Sequence, residues 1–323
     1  MAENYIYAVA RVRTRELSLL NENVMAQLSA AASEQDCLRI LNEKGWGGSG
    51  VSTEEMFAAE NRKTWAFIRE ILPKEGQMKV FDVFRLANDY HNLKAAVKEA
   101  CIDGTHPGIY GEDGTVPASL IARALADSDY EHLPGHMQAV AQEAKELLLK
   151  TQDGQLCDIT IDRAALTAIR EAGIASKEKL LEEYGELTCA TGDIKIAVRA
   201  QRTGKNKAFL DRALAPSRTI DIRELGDAAV MGFDAILACL SRSIYSDAVE
   251  ELKKSLASFE RWCDNRMIRQ IRPEIHNPFG IGPLAAYILA RDVEIKTVRI
   301  ILAGKRNGLP DEMLRERVRE TYV

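Results

Sequence analysis

A short polar–apolar–basic cluster occurs three times in this sequence at an even interval of 101 residues. Its central apolar residues are Leu93, Ile194 and Ile295, and each is followed by a lysine and, within five residues, by a valine and a second base. The flanking positions that also repeat are the preceding polar residues Asn92, Asp193 and Glu294, and the aliphatic residues seven positions upstream, Leu86, Leu187 and Ile288. Such a period is typical of internal repeats whose units each need neighbours to cover an apolar face. The sequence therefore predicts three similar helical units.

The repeat sets approximate boundaries for these units at 1–112, 113–217 and 218–323. The first and second repeat clusters are each followed by a second shared word, Arg-Ala-Leu, at 123–125 and 212–214. The interval between these words is shorter than the repeat, so the first unit is expected to carry a loop longer by about twelve residues, a difference that costs a folded protein little.

The spacing of aliphatic residues predicts helices along nearly the whole chain. Long helices are expected over 5–32, over about 24 residues around Leu93, and over 177–203, and a capping box at 52–55 begins a further one. The one strand-like run, 157–161, is too short and too isolated to build a sheet. The predicted fold class is all-α.

Composition limits the classes of function. A net charge of −5 and a pI near 5.7 argue against nucleic acid as the principal partner, because phosphate binding needs a basic face. No apolar run reaches the roughly 18 residues of a membrane span, and the N-terminus lacks the layout of a signal peptide. The six scattered cysteines predict free thiols, as in a cytosolic protein, rather than disulfides or a zinc site.

The motifs of common catalytic and metal sites do not occur in the sequence. No histidine follows a glutamate by three positions, so the di-iron motif of helical bundles is missing. Phosphate-binding, zinc-protease and EF-hand patterns are missing as well. His132 and His136 have the spacing of a zinc pair on one helix face, but a Leu-Pro-Gly turn lies between them. We therefore expect no catalytic residue, no cofactor and no metal.

Some patterns leave alternatives open. His91, next to Asp89 and Tyr90, is either a hydrogen-bonded packing residue or part of an unrecognised site in a helical enzyme. The three arginines in residues 11–15 either form a solvated helix face or bind a partner. The chain as a whole also fits a helical-repeat scaffold that binds another protein through a concave face.

The last fifty residues resemble a known family. Asn-Pro-Phe-Gly-Ile-Gly-Pro-Leu-Ala-Ala-Tyr-Ile-Leu-Ala-Arg at 277–291 is followed by Glu-Ile-Lys-Thr-Val-Arg-Ile-Ile-Leu at 294–302 and Gly-Leu-Pro-Asp-Glu at 308–312. These runs resemble the C-terminal signature of the C subunit of bacterial and archaeal V-type ATP synthases, whose eukaryotic counterpart is the d subunit of the vacuolar ATPase. The helix at 85–97 and the opening at 7–17 are similar to the corresponding parts of that family.

The resemblance implies an all-α, funnel-shaped protein with three similar units around a pseudo-threefold axis. It implies a non-catalytic component of the central stalk, or rotor, on the cytoplasmic face of the membrane. Its partners would be the subunits of the central shaft and the membrane ring of proteolipid subunits, with no nucleic acid and no transmembrane span of its own. Such a protein couples ATP chemistry in the soluble head to proton or sodium transport. The middle copy departs from the family pattern at Gly192 and Asp193.

Polar residues beside the apolar stripe are the candidates for contact with the shaft. These candidates are Arg85, Asn88, Asn92 and Glu99 in the first repeat, Thr188 or Ala190 in the second, and Arg291 or Asp292 in the third. Because the three sets differ in polarity, we expect a socket with unequal walls and a salt-sensitive interaction.

Overall fold

The computed structural model describes residues 5–48, 50–72, 74, 76–101 and 108–323, and these residues form helices and connecting turns without any strand. In chain order the α-helices are α1 (Ile6–Glu16), α2 (Glu22–Ala30), α3 (Glu34–Glu43), α4 (Thr53–Ile71), α5 (Leu86–Cys101), α6 (Ala118–Asp127), α7 (Gly135–Thr151), α8 (Gly154–Ser176), α9 (Lys179–Arg202), α10 (Lys207–Ala213), α11 (Ile222–Met231), α12 (Phe233–Ser241), α13 (Val249–Lys254), α14 (Leu256–Ile271), α15 (Gly282–Arg306) and α16 (Asp311–Arg315). Short 3-10 helices lie at Gln77–Phe84, Ser246–Ala248 and Arg272–His276. The all-α fold class is confirmed. None of the helices within these ranges is long and apolar enough to cross a membrane.

The chain divides into two compact units. The first comprises residues 1–78 and 250–323, and the second comprises residues 79–249. The N-terminal and C-terminal parts of the chain therefore fold together in the first unit. The three units expected from the repeat remain a prediction.

Helix α15 is the centre of the first unit. It packs against α1, α2, α3, α4, α14 and α16, and most of its residues are buried, apart from an exposed stripe at Asp292, Lys296, Arg299 and Ala303. A helix that is buried over most of its circumference forms the core of its unit. Its Tyr287 ring meets the Phe67 ring of α4 edge-on, with 5.7 Å between centroids.

The single helix expected over 5–32 is wrong, because the chain turns between α1 and α2. Asn21 begins α2 by accepting a hydrogen bond from the backbone N–H of Val24 at 3.1 Å. The backbone N–H of Leu20, in the same turn, is bonded to a side chain of α15. A contact that is distant in sequence thus replaces the local helical bond, while the aliphatic spacing continues across the turn.

Ser52 caps the N-terminus of α4, as the sequence predicted. The Ser52 hydroxyl accepts a hydrogen bond from the backbone N–H of Glu55 at 3.2 Å. This bond satisfies one of the backbone donors that a helix N-terminus leaves free.

The second unit contains α5 to α12, with a closely packed hairpin of α8 and α9. A Cβ added at Gly173 would lie 2.5 Å from the carbonyl oxygen of Leu181, which is too close for any side chain. A Cβ added at Gly192 would lie 2.8 Å from the Leu166 side chain. Glycine at 173 therefore lets the two helix backbones approach each other, and glycine at 192 leaves room for the Leu166 side chain.

The helix of about 24 residues expected around Leu93 is shorter than predicted. A 3-10 helix at Gln77–Phe84 comes first, and α5 follows from Leu86 to Cys101. Residues 104–107, whose sequence suggests the turn that ends this helix, lie outside the described residues.

The apolar positions of the repeat are buried in all three copies. Leu93 and Ile194 have no exposed surface, and Ile295 is 8% exposed. The accompanying aliphatic residues are buried as well: Leu86, Leu187, Ile288, Val97, Val198 and Val298. The expectation that the repeat forms core is confirmed.

Basic residues of the repeat pair with aspartates on neighbouring helices. Lys98 of α5 lies 2.8 Å from Asp158 of α8, and Lys296 of α15 lies 2.8 Å from Asp264 of α14. Pairs that remain partly open to water contribute at most about 1 kcal/mol each. Their main effect is to fix which face of each helix meets its neighbour.

We predict that Leu93→Ala lowers the free energy of unfolding by about 2–5 kcal/mol, because it removes a fully buried side chain and leaves a cavity. Urea unfolding followed by circular dichroism measures the change. The control is Leu149→Ala, at a leucine of α7 that is 56% exposed, where a change below about 0.5 kcal/mol is expected. Equal stabilities of the two variants would show that the repeat leucine does not support the core.

Candidate functional site

The polar residue of each repeat lies inside the protein. Asn92 and Asp193 have no exposed surface, and Glu294 is 6% exposed. Buried polar side chains need hydrogen-bond partners, because their desolvation is costly. The partners of these three residues define the candidate site.

Asn92 of α5 binds both backbone groups of one residue in the segment that leads to α6. Its Oδ1 accepts a hydrogen bond from the N–H of Gly111 at 2.8 Å, and its Nδ2 donates to the carbonyl of Gly111 at 3.0 Å. An amide can satisfy a donor and an acceptor at once, which suits it to holding a stretch of backbone.

Arg85, just before α5, and polar residues of α5 bind the same segment, residues 109–116. Arg85 Nε donates to the carbonyl of Asp113 at 3.2 Å, and Asn88 Nδ2 donates to the same carbonyl at 3.4 Å. Asp89 Oδ1 accepts from the N–H of Val116 at 3.0 Å, and Glu99 accepts from the Tyr110 hydroxyl. The polar face of α5 was expected to line a socket for the shaft. In the structure it holds a segment of its own unit, and for the partly exposed Arg85, Asn88 and Glu99 contact with the shaft stays a prediction.

Asp193 of α9 occupies the second copy of this position. Its Oδ1 accepts a hydrogen bond from the backbone N–H of Ala215 at 3.0 Å, while its Oδ2 is buried without a hydrogen-bond partner. Burial raises the pKa of Asp193 to about 7, although the N–H of Ala215 and the charge of Arg163 act to lower it.

Glu186, two turns earlier on α9, binds the chain just beyond Ala215. Its carboxylate accepts hydrogen bonds from the Ser217 hydroxyl at 2.7 Å, from the backbone N–H of Thr219 at 2.9 Å, and from Arg170 at 2.7 Å. Burial acts to raise the pKa of Glu186, but these bonds outweigh it and lower the pKa to about 2. The segment after α10 is therefore attached to α9 at two points.

Glu294 of α15 is the third copy and belongs to a buried charge network. Its Oε2 accepts the hydrogen bond from the N–H of Leu20 at 3.0 Å, and its Oε1 lies 2.5 Å from Nη1 of Arg291. Arg291 also donates to Glu60 of α4 at 2.7 Å, and its guanidinium lies 5.0 Å from the centre of the Trp46 ring. Burial raises the pKa of Glu294 to about 7, against the opposing effect of Arg291.

The three copies therefore share one role. In each, a buried polar side chain accepts the backbone N–H of a connecting segment at 2.8–3.0 Å. The segments differ in position: one precedes α6, one follows α10 and one joins α1 to α2. Sequence reasoning identified the position as part of the repeat but missed this role, for which the signal was a polar residue next to a buried apolar one in all three copies.

Several predicted shaft contacts are wrong, because the side chains are buried. Asn92 and Ala190 have no exposed surface, and Arg291 is 7% exposed within its network. Asp292 is exposed, and Thr188 is partly exposed. Thr188 lines a groove of about 300 Å³ between α5, α8 and α9, together with Lys195.

Asp89, Tyr90 and His91 do not converge on one site. Their partners lie in three places: Asp89 binds the N–H of Val116, the Tyr90 hydroxyl donates to the carbonyl of His136 at 3.0 Å, and His91 Nε2 lies 3.0 Å from the carbonyl of Ile109. His91 is hydrogen-bonded as expected, but it is exposed rather than packed. This arrangement supports a structural role for all three.

The arginines of α1 bind within the first unit. Arg11 pairs with Glu70 at 2.7 Å, Arg13 pairs with Glu16 at 2.7 Å, and the Arg15 guanidinium lies 5.0 Å from the centre of the Phe67 ring. These contacts attach α1 to its own unit. They give no support to a separate partner-binding patch.

All six cysteines are free thiols, as the sequence predicted. In the part of the chain that the structure describes, no group of three or more histidine, cysteine, aspartate or glutamate side chains is arranged to hold a metal ion.

The sequence is similar to known proteins over nearly the whole chain. The model of the family described as ATP synthase (C/AC39) subunit matches residues 8–317. The C subunit of the V-type sodium ATPase of Enterococcus hirae is 23% identical, over 96% of this chain and 97% of that protein. The C subunit of the V-type ATP synthase of Thermus thermophilus is 25% identical, over 98% and 99%. The C subunit of the A-type ATP synthase of a Desulfurococcus species is 25% identical, over 97% and 90%.

We predict that Arg291→Met lowers the free energy of unfolding by about 3–5 kcal/mol, because it leaves the carboxylates of Glu60 and Glu294 buried without their cation. The loss should be smaller at about pH 5 than at about pH 8, since a protonated Glu294 needs no cation. Urea unfolding at both pH values measures it.

The control for this prediction is Arg306→Met, on the same helix. Arg306 is 49% exposed and pairs with Glu34, so a loss of about 1 kcal/mol or less is expected. A loss at Arg291 no larger than the loss at Arg306 would mean that the buried network does not stabilise the first unit.

Proposed function

The chain belongs to the ATP synthase (C/AC39) subunit family, and on this basis we propose that it is a central-stalk subunit of a V-type or A-type ATP synthase. In this role it is a non-catalytic part of the rotor on the cytoplasmic face of the membrane, and it is the counterpart of the d subunit of the eukaryotic vacuolar ATPase. It connects the central shaft of the soluble head to the proteolipid ring and so couples ATP chemistry to proton or sodium transport. The observation that carries the proposal is the family match over nearly the whole chain, supported by C subunits of other rotary complexes that align with 96–98% of it.

The architecture that we propose for this role has three similar helical units in a pseudo-threefold, funnel-shaped arrangement. The even repeat supports it, as does the burial of Leu93, Ile194 and Ile295. The shared backbone contact of the residue preceding each of them supports it further. Three helices that bury the same positions and hold a connecting segment in the same way are what three related units require.

Rigidity is the physical property that this role demands. A protein that transmits torque must not yield at its connections, since a soft connection would absorb the rotation. Buried hydrogen bonds from α5, α9 and α15 fix connecting segments that would otherwise be the most mobile parts of a helical protein. The attachment of Glu186 to the chain beyond α10 adds a further fixed point.

For the surface that meets the shaft, we propose the accessible candidates in place of the buried ones. These are Asp292 of α15 and the groove of α5, α8 and α9 that contains Thr188 and Lys195. One is acidic and the other carries a base. A shaft surface that carries complementary charges would bind both sites more strongly at low salt.

We predict that a complex lacking this protein still hydrolyses ATP in its soluble head but no longer transports ions. The head retains its own catalytic sites, while the connection to the ring is lost. ATP hydrolysis and ion uptake are measured together in proteoliposomes. Adding back the purified protein should restore transport. Undiminished transport per ATP in its absence would contradict the coupling role and leave a scaffold that binds another protein partner as the better interpretation.

We predict that Lys195→Glu and Asp292→Lys each weaken binding of the purified shaft subunits about fivefold at low salt, the effect expected of one partly exposed charge pair. High salt should weaken the parent's binding and reduce the difference between variants. Lys179→Glu, at an 88% exposed lysine at the start of the same helix α9, is the control and should bind as the parent does. Salt-independent binding unaffected by both reversals would place the shaft surface elsewhere.

A further inference from the structure

The second copy of the backbone contact lacks one of the hydrogen bonds of the first. Asn92 accepts the N–H of Gly111 and donates to its carbonyl. Asp193 accepts the N–H of Ala215 through Oδ1, but its Oδ2 is fully buried and has no partner. An ionised carboxylate can only accept hydrogen bonds, whereas a neutral carboxylic acid carries one hydroxyl donor and so matches the amide of Asn92.

The charges around Asp193 do not compensate an ionised carboxylate. On α8, Asp158 and Asp162 pair with lysines of α5, and Arg170 pairs with Glu186. Arg163 is the cation whose charge acts to lower the pKa of Asp193. Arg163 makes no hydrogen bond to Asp193 and donates to the carbonyl of Asp211 at 3.4 Å. On α9 itself, Glu186 adds a negative charge that opposes ionisation.

The remaining elements that pack against α9 place their charges at the surface. These charged residues are Lys207, Asp211 and Arg212 of α10, Arg223, Glu224 and Asp227 of α11, and Asp234 of α12. Lys207 pairs with Asp227 at 2.6 Å, and Glu224 pairs with Arg242. None of these charges supplies a cation to the buried Oδ2.

We propose that Asp193 is a proton-operated latch, which holds the segment 214–219 on α9 as a neutral acid and loosens it when its proton is lost to solvent. In the neutral state no charge lies in the core, and Oδ1 keeps its hydrogen bond from the N–H of Ala215. In the ionised state an unpaired charge lies in the core, and the segment must move to hydrate it. The bonds of Glu186 keep the far end of the segment attached, so the opening is local.

The direction of the pH effect follows from the proton balance. Burial raises the pKa of Asp193 to about 7 in the folded protein, whereas an aspartate in the unfolded chain titrates near about 4. Between these values the folded state binds the extra proton, so stability falls as pH rises and levels off above about pH 7. The latch is thus closed in mildly acidic solution and open in mildly alkaline solution.

The test uses hydrogen exchange in the parent protein. The amide of Ala215 is held by Asp193, and the amide of Gly111 is held by the non-titrating Asn92. After correction for intrinsic exchange, protection of the Ala215 amide should fall relative to that of the Gly111 amide as pH rises from about 5 to about 8. A constant ratio of the two protections would overturn the proposal, and it requires no variant that might fail to fold.

Two reciprocal substitutions test the same idea from both sides. Asp193→Asn should remove the contribution of Asp193 to the pH dependence of stability. Between about pH 5 and about pH 7, the unfolding equilibrium constant of the variant divided by that of the parent should therefore fall by up to about tenfold per pH unit. Asn92→Asp should create a similar dependence at the first copy. Parallel pH profiles of the parent and Asp193→Asn would show that Asp193 stays in one ionisation state, and they would refute the latch.

Discussion

The backbone N–H groups of the connecting segments are the groups on which this structure most depends. A helix satisfies its own backbone, but the chain between helices cannot, and where it passes close to a core its donors need partners from elsewhere. This protein provides them from its central helices. A polar side chain next to a buried aliphatic one on α5, α9 and α15 reaches the segment alongside and accepts one N–H. The aliphatic residue packs the helix into the core, and its polar neighbour holds the adjacent connecting segment against the helix.

The chemistry of these three acceptors is not equivalent. Asn92 is neutral, Asp193 is isolated from cations that could bond to it, and Glu294 shares Arg291 with Glu60. Buried charge of this kind is weak evidence for added stability, because desolvation offsets most of the attraction. Its stronger effect is on specificity, since an alternative packing of α15 against α4 would leave Arg291 or its carboxylates unpaired. The first unit thus depends on ionic complementarity, whereas the second depends on close backbone approach at glycines such as Gly173.

The structural features that depend on residues close together in the sequence were predicted correctly. The all-α class, the buried stripe through Leu93 and the cap at Ser52 each follow from spacing or from a side chain a few residues away. The prediction of one helix over 5–32 is wrong because the partner of Leu20 lies in α15, far along the chain. Arg291 was assigned to a surface because charge beside an apolar stripe normally indicates solvent, and nothing local shows that Glu60 lies opposite. What remained unpredictable was the set of long-range partners, and these determine the candidate site.

The division of the chain has a consequence for how the protein is made. Helices α1 to α4 are synthesised long before α15, around which they pack. Residues 79–249 are contiguous and complete before α15 emerges, so the second unit can fold during translation while the first waits. During that interval the apolar faces of α1 to α4 have no permanent cover. Helices α1 to α4 are therefore the part of the nascent chain most prone to aggregation, and the chain depends on chaperones or rapid elongation until α15 has been synthesised.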